Sequence, residues 1–518
     1  LMQSRNLPLT TRTVARPILA AVLLLALVVA GCVSVPFDYP KEPSEAVAAS
    51  AATELGAESA NWAAEHNGAS GILLLLSGMD ALGARLALMQ GAEVSIDAQY
   101  FLLKPDAAGG IFANELLQAA DRGVKVRFLL DDIFTPNLDS ELALIDKHPN
   151  VEVRLFNPTS RQSAKYWSLV VDFKRANRRM HNKSFTVDNS VTIVGGRNLA
   201  AEYFQINEDV DFVDLEIIGL GPIAVDVSDT FDQFWNSALA VPIAAFGKKG
   251  DEDDLEDWRR DLEAKLATTD TIYDRALTSP YLQNVMNDII TPTAARARVV
   301  TDRPQKLKTG TGVEELQELA LALTEYANNA REEIIIITPY FVPRKGGAEY
   351  LASLAAKGIR IRVVTNSLES TNHVPVHSGY ARFRKRLLEA GVEFYEVRAW
   401  MRGEEPGVGI KTTLHSKAMI FDRETLFVGS LNLDPRSIDI NTEMGVFLES
   451  PTIARKFAEE LDQELPAAAY RAVLEDGNLR WRYEHGEYKE TLKREPQSGF
   501  WRRFSSGFYG ILPIEGQL

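Results

Sequence analysis

The sequence contains one unit twice, and this duplication constrains the fold more than any other feature. Residues 180–188 (MHNKSFTVD) and 414–422 (LHSKAMIFD) share the pattern H-x-K-x4-D. Their histidines, His181 and His415, are 234 residues apart (415 − 181). The same offset relates three further pairs downstream of the motifs: Gly195 and Gly429, Asn198 and Asn432, and Asn207 and Asn441. An offset that holds at four landmarks indicates two copies of one structural unit.

The segments before each motif predict alternating helices and strands. ADRGVKVRFLLDD (120–132) parallels AAKGIRIRVVTNS (355–367), and in both a helical pattern ends at a glycine and an alternating strand pattern follows. Strands that alternate with helices are typical of α/β layers in which helices cover the sheets. The sequence therefore predicts an α/β fold built from two similar units.

The composition is that of a globular protein with an acidic surface. The 518 residues are enough for two or three domains or for one large pseudo-symmetric body. The formal net charge of −15 repels a polyphosphate backbone, so no nucleic-acid partner is expected. A local basic pocket is compatible with this charge.

The beginning of the sequence predicts export. A basic start with Arg5, Arg12 and Arg16 precedes an apolar run at 18–30, which suits the core of a signal peptide and is short for a membrane-spanning helix. The run ends in VAGC, which resembles the lipobox of bacterial lipoproteins, where the cysteine becomes acylated. We expect Cys32, the only cysteine, to be the lipidated residue of a protein anchored in the bacterial cell envelope and facing the periplasm. The alternative is an uncleaved anchor with an incidental cysteine.

Shifts in composition predict the domain boundaries. The segment after the signal peptide is rich in Pro, Ala, Glu and Ser, as tethers are, and a charged segment between the copies favours a solvated spacer over a substrate lid. The last residues mix aromatic side chains with Arg502 and Arg503, which suits either a membrane interface or docking on the protein surface. We expect a signal peptide (1–31), a tether (32–69), a first lobe (70–240), a connector (241–295), a second lobe (296–466) and a C-terminal tail (467–518).

The repeated motif carries the predicted chemistry. Residues i and i+2 of a strand face the same side, so we expect His181 to point with Lys183 and His415 with Lys417. Two imidazoles and two ammonium groups in one cleft suit a phosphodiester above other substrates. The lysines neutralise the phosphate oxygens, one histidine attacks phosphorus, and the other protonates the leaving alkoxide. Neither a metal nor another cofactor is required, so none is expected.

Four residues downstream of the motifs are candidate supporting residues. Gly196 allows the backbone to approach closely, while Ser430, Asn198 and Asn432 offer hydrogen bonds to phosphate.

Carboxylates are expected to hold the second nitrogen of each imidazole. Asp209 and Glu443 each lie 28 residues past the histidine of their own copy (209 − 181 and 443 − 415) and are the candidates. Asp211 is a close rival to Asp209.

Both complete motifs resemble a known signature. HNKSFTVDNSVTIVGGRN (181–198) and HSKAMIFDRETLFVGSLN (415–432) match the H-x-K-x4-D-x6-G-G/S-x-N pattern of the phospholipase D superfamily. The resemblance covers roughly residues 70–466. Within the superfamily the chain looks most like bacterial cardiolipin synthases of the C type, through DAQYFL (97–102), VHSGYARFRKRLLEAGVEFYE (376–396) and LPIEGQL (512–518).

The resemblance implies both an architecture and a mechanism. It implies two pseudo-symmetric lobes, each a mixed sheet flanked by helices, with one active site at their interface. It also implies transesterification through a covalent phosphohistidine. His181 is then the expected nucleophile and His415 the expected acid and base, although the residues alone do not separate these roles.

Four further residues have two open interpretations. Asp188 and Asp422 complete the motifs and stand in the candidate catalytic set, although a turn cap or a structural ion pair is the favoured interpretation. His377 and Tyr380 follow a strand of the second copy. They are candidates for contact with a lipid head group or for ordinary packing.

The leading functional hypothesis is a membrane-associated phosphatidyltransferase that makes cardiolipin from two phospholipids. Phosphatidylglycerol is the expected substrate, with phosphatidylethanolamine as a further candidate. A phospholipase D that forms phosphatidic acid needs the same residues, with water as acceptor. The acidic charge disfavours a nuclease of the superfamily, and the two intact motifs disfavour a non-enzymatic lipid-binding protein. The sequence indicates no particular protein partner.

Overall fold

The computed structural model describes residues 35–134, 138–161, 172–207, 209–246, 252–308, 317–400, 409–512 and 516. The expected signal peptide and Cys32 lie outside this part of the chain. Within it, no helix combines the length and the apolar character that crossing a membrane requires.

The first lobe is a mixed β-sheet. The strands of this half of the chain are β1 (Ser70–Leu75), β2 (Ser95–Tyr100), β3 (Lys125–Asp131), β4 (Val151–Phe156), β5 (Ser184–Val187), β6 (Val191–Gly195), β7 (Val210–Val213), β8 (Glu216–Leu220) and β9 (Ala240–Pro242). All except β7 join one sheet in the order β9–β4–β3–β2–β5–β6–β8–β1. Strands β2, β3 and β4 are parallel, and the other neighbours are antiparallel.

The second lobe repeats this sheet. Its strands are β10 (Thr293–Thr301), β11 (Glu333–Ile337), β12 (Arg360–Asn366), β13 (Glu393–Val397), β14 (Lys411–Leu414), β15 (Ala418–Phe421), β16 (Thr425–Gly429), β17 (Met444–Glu449), β18 (Ala469–Glu475), β19 (Asn478–His485) and β20 (Tyr488–Leu492). The order β4–β3–β2–β5–β6–β8–β1 of the first lobe recurs as β13–β12–β11–β15–β16–β17–β10, with the same strand directions. The predicted two-lobed α/β fold is confirmed.

Two strand pairings connect the lobes. β1 pairs antiparallel with β10, so the two sheets are continuous. β7 of the first lobe and β14 of the second form a separate parallel pair, in which Val213 lies opposite Leu414. The chain that follows β7 and β14 is therefore held at the interface between the lobes.

Helices pack on the sheets. They are α1 (Glu54–Glu65), α2 (Gly78–Gly91), α3 (Ala107–Asp121), α4 (Asp139–Ile145), α5 (Phe173–Ala176), α6 (Pro222–Trp235), α7 (Glu252–Leu266), α8 (Asp270–Leu277), α9 (Pro280–Met286), α10 (Glu318–Asn329), α11 (Arg344–Ala356), α12 (Val374–Glu389), α13 (Pro435–Asp439), α14 (Pro451–Ala468) and α15 (Phe500–Tyr509). Side-chain caps fix several starts: Ser77 accepts from the N–H of Asp80 at α2, and Asp106 from that of Gly109 at α3.

The central strands are apolar on both faces because each face is buried. In β11, Ile334 and Ile336 pack into the core of the second lobe, whereas Ile335 and Ile337 face the core between the lobes. The alternation of strand side chains assigns the two pairs to opposite faces. An unbroken isoleucine run is the pattern expected of a strand covered on both sides.

Three of the expected linking and terminal segments pack on the lobes. The described part of the tether packs on the first lobe, where Nζ of Lys41 donates to the carbonyl oxygen of Ser237 at 2.5 Å. The connector is no solvated spacer, because Leu255 of α7 is buried in the first-lobe core. Strands β18, β19 and β20 of the expected tail extend the second sheet. Buried apolar side chains, Leu255 and Trp481 among them, account for the packing of the connector and of the tail strands, whereas polar contacts hold the tether.

Candidate active site

Each H-x-K pair lies immediately before a short strand, not within it as the alternation predicted. Strand β5 begins after Lys183, and β15 begins after Lys417. The backbone N–H of each histidine makes a hydrogen bond to the opposite lobe. The N–H of His181 donates to the carbonyl oxygen of Thr442 at 2.9 Å, and the N–H of His415 to that of Val213 at 2.8 Å. These exchanged bonds place both motifs at one interface.

Both imidazoles are held by carboxylates of the other lobe. Nδ1 of His181 is 2.8 Å from Oε2 of Glu443, and Nδ1 of His415 is 2.6 Å from Oδ2 of Asp214. Although burial opposes it, the adjacent imidazoles and lysines hold the pKa of both carboxyl groups below its usual value, so both stay ionised. A carboxylate at Nδ1 keeps the proton there and leaves the lone pair on Nε2.

The expected carboxylate of the first copy was wrong. Asp209 is exposed, and its carbonyl oxygen accepts from the N–H of Lys411 at 2.9 Å. Asp211 lies within β7 and accepts from Nε2 of Gln205 at 3.4 Å. Glu443 does hold an imidazole, but that of the opposite copy.

A five-residue insertion in the first lobe (214 − 209) breaks the constant offset. Glu216 and Gly445 occupy the same place in the two lobes, each opposite the glycine that ends β6 or β16. Asp214 and Glu443 stand two residues before them, so they are structural equivalents. A fixed count from the histidine does not find Asp214. It is found as the acidic residue two positions before Glu216, once the pairing of Glu216 with Gly195 is known.

The two lysines fold back over their histidines. Nζ of Lys183 donates to the carbonyl oxygen of His181. Nζ of Lys417 donates to the carbonyl oxygen of His415 and lies 2.8 Å from its Nδ1 and 3.1 Å from its Nε2. Both ammonium groups are buried. The charge of each lysine also acts on the histidine of the opposite lobe, so the four groups share one site.

Burial shifts the protonation of all four groups. Against the opposing pull of Glu443, burial lowers the pKa of His181 to about 4. Burial and the charge of Lys417 lower the pKa of His415 to about 3. Burial also lowers the pKa of Lys183 to about 7 and that of Lys417 to about 8. Both imidazoles are therefore neutral near pH 7, and the lysines are easily deprotonated unless an anion is bound.

Two buried asparagines retain hydrogen-bonding capacity. Nδ2 of Asn198 donates to the hydroxyl of Tyr203 at 2.9 Å, and Nδ2 of Asn432 to Oγ of Ser437 at 3.4 Å. Oδ1 of each asparagine has no partner among the residues that the structure describes. Buried amide groups are usually saturated, so these amides have room for a ligand or for water.

Ser430 and Gly196 occupy equivalent places and make the two halves of the site unequal. The hydroxyl of Ser430 donates to Oε2 of Glu443. At Gly196 an added Cβ would lie 2.3 Å from Oδ1 of Asp214. Only a residue without a side chain lets Asp214 keep its place against His415.

The motif aspartates have the structural role that the sequence favoured, and not the catalytic role for which they were also candidates. Asp188 and Asp422 follow β5 and β15, at the strand ends away from the histidines. Their carboxylates each accept three backbone N–H bonds at the start of a neighbouring strand, from Glu93, Val94 and Ser95 and from Arg331, Glu332 and Glu333. A carboxylate saturated in this way braces a turn.

His377 and Tyr380 pack inside the second lobe, which is the packing interpretation and not the head-group contact that was the alternative. Both side chains are buried on α12, and the hydroxyl of Tyr380 donates to Oε1 of Glu396 at 2.9 Å. His377, Glu396 and Glu495 lie within metal-ligand distance of one another. Arg384, however, already bonds both carboxylates of this cluster, so part of their negative charge is already balanced.

Aromatic rings surround the imidazoles, which the motif analysis did not predict. The ring of Phe101 meets that of His181 edge to face at 4.8 Å between centroids. Phe212 stacks on His415 at 5.4 Å, and Tyr203 meets the same imidazole at 5.0 Å. These rings displace water and lower the local polarity, which is why burial dominates the pKa values.

The site has the parts that exchange at a phosphodiester needs. Each neutral imidazole has its Nδ1 fixed and its Nε2 available. Two lysines provide positive charge for the phosphate oxygens without reorganisation. Paired H-x-K motifs at the interface of two equivalent α/β lobes define a phospholipase D-type phosphatidyltransferase.

Comparison with known families gives the particular group. The family model described as cardiolipin synthase, PLD-like domain, matches residues 86–235 and 323–465, more than half of the chain. The chain belongs to this family.

Similar proteins cover nearly the whole chain. Cardiolipin synthase C of Escherichia coli K12 is 38% identical over 467 residues, which is 87% of this chain and 97% of that protein. A cardiolipin synthase of Oceanobacillus iheyensis is 23% identical over 76% of this chain and 69% of its own length. The crystal structure of phosphatidylserine synthase from Haemophilus influenzae Rd KW20 covers 89% of this chain and 100% of that chain, with a TM-score of 0.53 and 13% identity. It shows the shared fold.

Proposed function

We propose that this protein transfers a phosphatidyl group from one phospholipid to a hydroxyl group of a second, making cardiolipin through a phosphohistidine intermediate. The observation that carries the proposal is the exchange of imidazole–carboxylate pairs between the lobes, His181 with Glu443 and His415 with Asp214. The 38% identity to cardiolipin synthase C of Escherichia coli supports the choice of reaction.

In the first step, Nε2 of His181 attacks the phosphorus of the donor lipid. A P–N bond forms while the P–O bond to the head-group alcohol breaks, and the leaving alkoxide takes a proton from Nε2 of His415. Glu443 balances the positive charge that the ring of His181 gains. Lys183 and Lys417 bind the phosphate oxygens as their negative charge rearranges.

His415 needs a proton before that step, because its imidazole is neutral in the free site. A bound phosphodiester brings one negative charge, which favours the protonated ring. The ring takes this proton from solvent as the substrate binds, while Lys417, with Nζ 3.1 Å from Nε2 of His415, keeps its own positive charge for the phosphate oxygens. His415 is therefore protonated only when a substrate is bound, which is when a leaving alkoxide needs its proton.

In the second step, the acceptor hydroxyl gives its proton to Nε2 of His415 and attacks phosphorus. The P–N bond breaks and His181 is regenerated. Two molecules of phosphatidylglycerol yield cardiolipin and glycerol, while a phosphatidylethanolamine donor yields cardiolipin and ethanolamine. The aromatic rings of Phe101 and Phe212 beside the imidazoles favour a lipid hydroxyl over water.

We further propose that the protein acts at the bacterial envelope as a lipoprotein acylated at Cys32. The support is the basic start, the short apolar run and the VAGC sequence. Cells fed a labelled fatty acid should incorporate the label into the protein. A Cys32→Ser variant should lose it, and a variant that kept the label would contradict the proposal.

Product analysis tests the reaction. Purified protein is incubated with labelled phosphatidylglycerol, with and without phosphatidylethanolamine, and the lipids are separated. Labelled cardiolipin with released glycerol or ethanolamine is the expected result and identifies the donor. Phosphatidic acid as the sole product would make the protein a phospholipase D, and degraded DNA with no lipid product would make it a nuclease.

A further inference from the structure

Helix α15, near the end of the chain, is attached to the protein by polar contacts. Nε of Arg502 donates to the carbonyl oxygen of Leu368 at 2.7 Å. The hydroxyls of Ser506 and Ser378 are 3.2 Å apart. Nε of Arg382 on α12 donates to the carbonyl oxygen after the helix, that of Gly510, at 2.9 Å. No residue of α15 is fully buried.

The apolar residues of this segment point away from the protein. Their side chains are between 53% and 83% exposed: Phe500, Trp501, Phe504, Phe508 and Ile511. The rings of Phe500, Trp501 and Phe504 contact one another, with centroids 5.4 to 6.4 Å apart. The five exposed residues, Phe500, Trp501, Phe504, Phe508 and Ile511, are called here the aromatic face.

This orientation is the reverse of the usual one. A surface helix normally turns its apolar stripe to the core and its polar side to water. Contiguous apolar surface on a soluble protein generally marks a site that another apolar surface covers. The hydrogen bonds that involve Arg502, Ser378 and Arg382 hold the polar side of α15 against the protein. Turning the aromatic face inward would break them.

The charge around the aromatic face favours a lipid surface over a second copy of this chain. The whole chain is acidic at −15, but residues 489–510 and α12 are locally basic. Across a two-fold axis, two such regions would repel one another, whereas anionic head groups attract them. Arg384 and Glu495 are paired with one another and are left out of the count. The remaining basic residues outnumber the acidic ones by five to one and three to one: Lys489, Lys493, Arg494, Arg502 and Arg503 against Glu490, and Arg382, Lys385 and Arg386 against Glu389.

We propose that the aromatic face of α15 inserts into the interfacial layer of an anionic phospholipid membrane. Trp and Phe side chains are suited to this layer, and a helix lying in the membrane plane inserts such a face to a shallow depth. The proposal deepens the proposed function, on which its catalytic consequence rests, because it specifies how the enzyme meets its lipid substrates.

The same helix is joined to the second half of the active site. Arg502 bonds the loop after β12 at Leu368. In that loop, the carbonyl oxygen of Ser370 accepts from the hydroxyl of Thr413. The side chain of Asn366 bonds both the N–H and the carbonyl of Leu414 at 2.9 Å. Leu414 directly precedes His415, so α15 is linked through this loop to the segment that positions this imidazole.

Vesicle binding tests the proposal with the chain from residue 32 onward and Cys32→Ser, which contains every described residue and carries no acyl group. The test variant is Trp501→Glu with Phe504→Glu. The matched control is Met286→Glu with Ile289→Glu, which charges two side chains of similar exposure (65% and 70%) within and just after α9. Co-sedimentation is measured with vesicles of phosphatidylglycerol and phosphatidylcholine.

The test variant should bind at least tenfold more weakly than the parent protein, while the control binds as the parent does. Unchanged binding of the test variant would overturn the proposal. So would a dimer, detected by light scattering, that the same substitutions dissociate while leaving vesicle binding intact. Equal melting temperatures of the variants would show that loss of binding does not reflect unfolding.

Activity separates this proposal from the proposed function. Turnover of phosphatidylglycerol in vesicles should fall with binding in the test variant. Turnover of a short-chain phosphatidylglycerol below its micelle concentration should be unchanged, because that substrate reaches the site from water. If the parent protein formed no product from either substrate, the proposed function would be contradicted. The vesicle-binding result alone would then test whether the aromatic face inserts into membranes.

Discussion

At the scale of single residues, each imidazole depends on one carboxylate and on what stands beside that carboxylate. Ser430 donates to Glu443, whereas Gly196 leaves Asp214 unobstructed. The two halves of a pseudo-symmetric site are thereby made chemically different. Glu443, which holds His181, accepts a hydrogen bond from Ser430. Asp214, which holds His415, fits only because Gly196 has no side chain.

Substitutions at these two places should therefore act in different ways. Ser430→Ala removes a hydrogen bond to a charged group, worth about 1.5–3 kcal/mol, and should lower kcat by roughly tenfold to a hundredfold. Gly196→Ala forces Asp214 away from His415 and should lower kcat further. Gly346→Ala is the control, since an added Cβ there meets nothing within 4 Å. Parental activity in Gly196→Ala, measured as cardiolipin formed per minute, would contradict the close approach.

The pH dependence should follow the buried lysines and histidines. His181 must be neutral to attack, so kcat/KM should fall as the pH drops through about 4. Lys183 and Lys417 must be charged to bind phosphate, so kcat/KM should fall as the pH rises through about 7 to 8. Lys183→Arg keeps its charge in alkali and should move the alkaline limb upward. A profile that stays flat to pH 10 would contradict the role of the lysines.

At the scale of elements, strand pairing rather than residue count determines which carboxylate reaches which histidine. The sequence predicted the duplicated unit and both H-x-K pairs, because those features keep one spacing. It also selected Glu443, but it assigned that carboxylate to the histidine of its own copy, whereas Glu443 holds His181. It failed for Asp214, because β7 is inserted before it and pairs with β14 of the other lobe. It kept Asp188 and Asp422 as catalytic candidates but favoured a turn cap, which agrees with the backbone N–H bonds that both carboxylates accept.

Asp214→Asn tests the corrected assignment. An amide at this place no longer holds the proton of His415 on Nδ1, so kcat should fall by roughly 100-fold to 10,000-fold, as for other buried imidazole–carboxylate pairs. Asp209→Asn is the matched control on the same segment and should stay within twofold of the parent. Product formation by both variants is measured on phosphatidylglycerol vesicles. Equal losses in the two variants would contradict the pairing seen in the structure.

At the scale of the whole molecule, neither lobe contains a complete site. Each histidine takes its orienting carboxylate, and the hydrogen-bond acceptor for its backbone N–H, from the opposite lobe. The continuous sheet through β1 and β10 fixes the lobes relative to one another. Because one chain carries both copies and the sheet fixes their relative position, the two half-sites form one active site. The two histidines can then have different roles in it.

Because the two histidines act in one sequence of steps, their losses should not add. His181→Ala and His415→Ala should each lower cardiolipin formation by roughly 1,000-fold or more to a small residual rate, and the double variant should be no worse than the more damaged single variant. Initial rates on one vesicle preparation provide the comparison. A double variant whose loss equals the product of the two single losses would indicate independent roles.

Trapping the intermediate tests the central claim most directly. His415→Asn lacks both the acid for the leaving alkoxide and the base for the acceptor hydroxyl, so it should form the covalent intermediate slowly and, with no base to activate an acceptor, retain it during a long incubation. The variant is mixed with phosphatidylglycerol labelled at phosphorus, quenched in alkali, which preserves phosphohistidine, and digested for mass spectrometry. Label on His181 is the predicted result. Label on His415 in the His181→Asn variant, with none on His181 in the His415→Asn variant, would reverse the assigned roles. Turnover in the unsubstituted protein without label on either histidine would contradict the covalent mechanism.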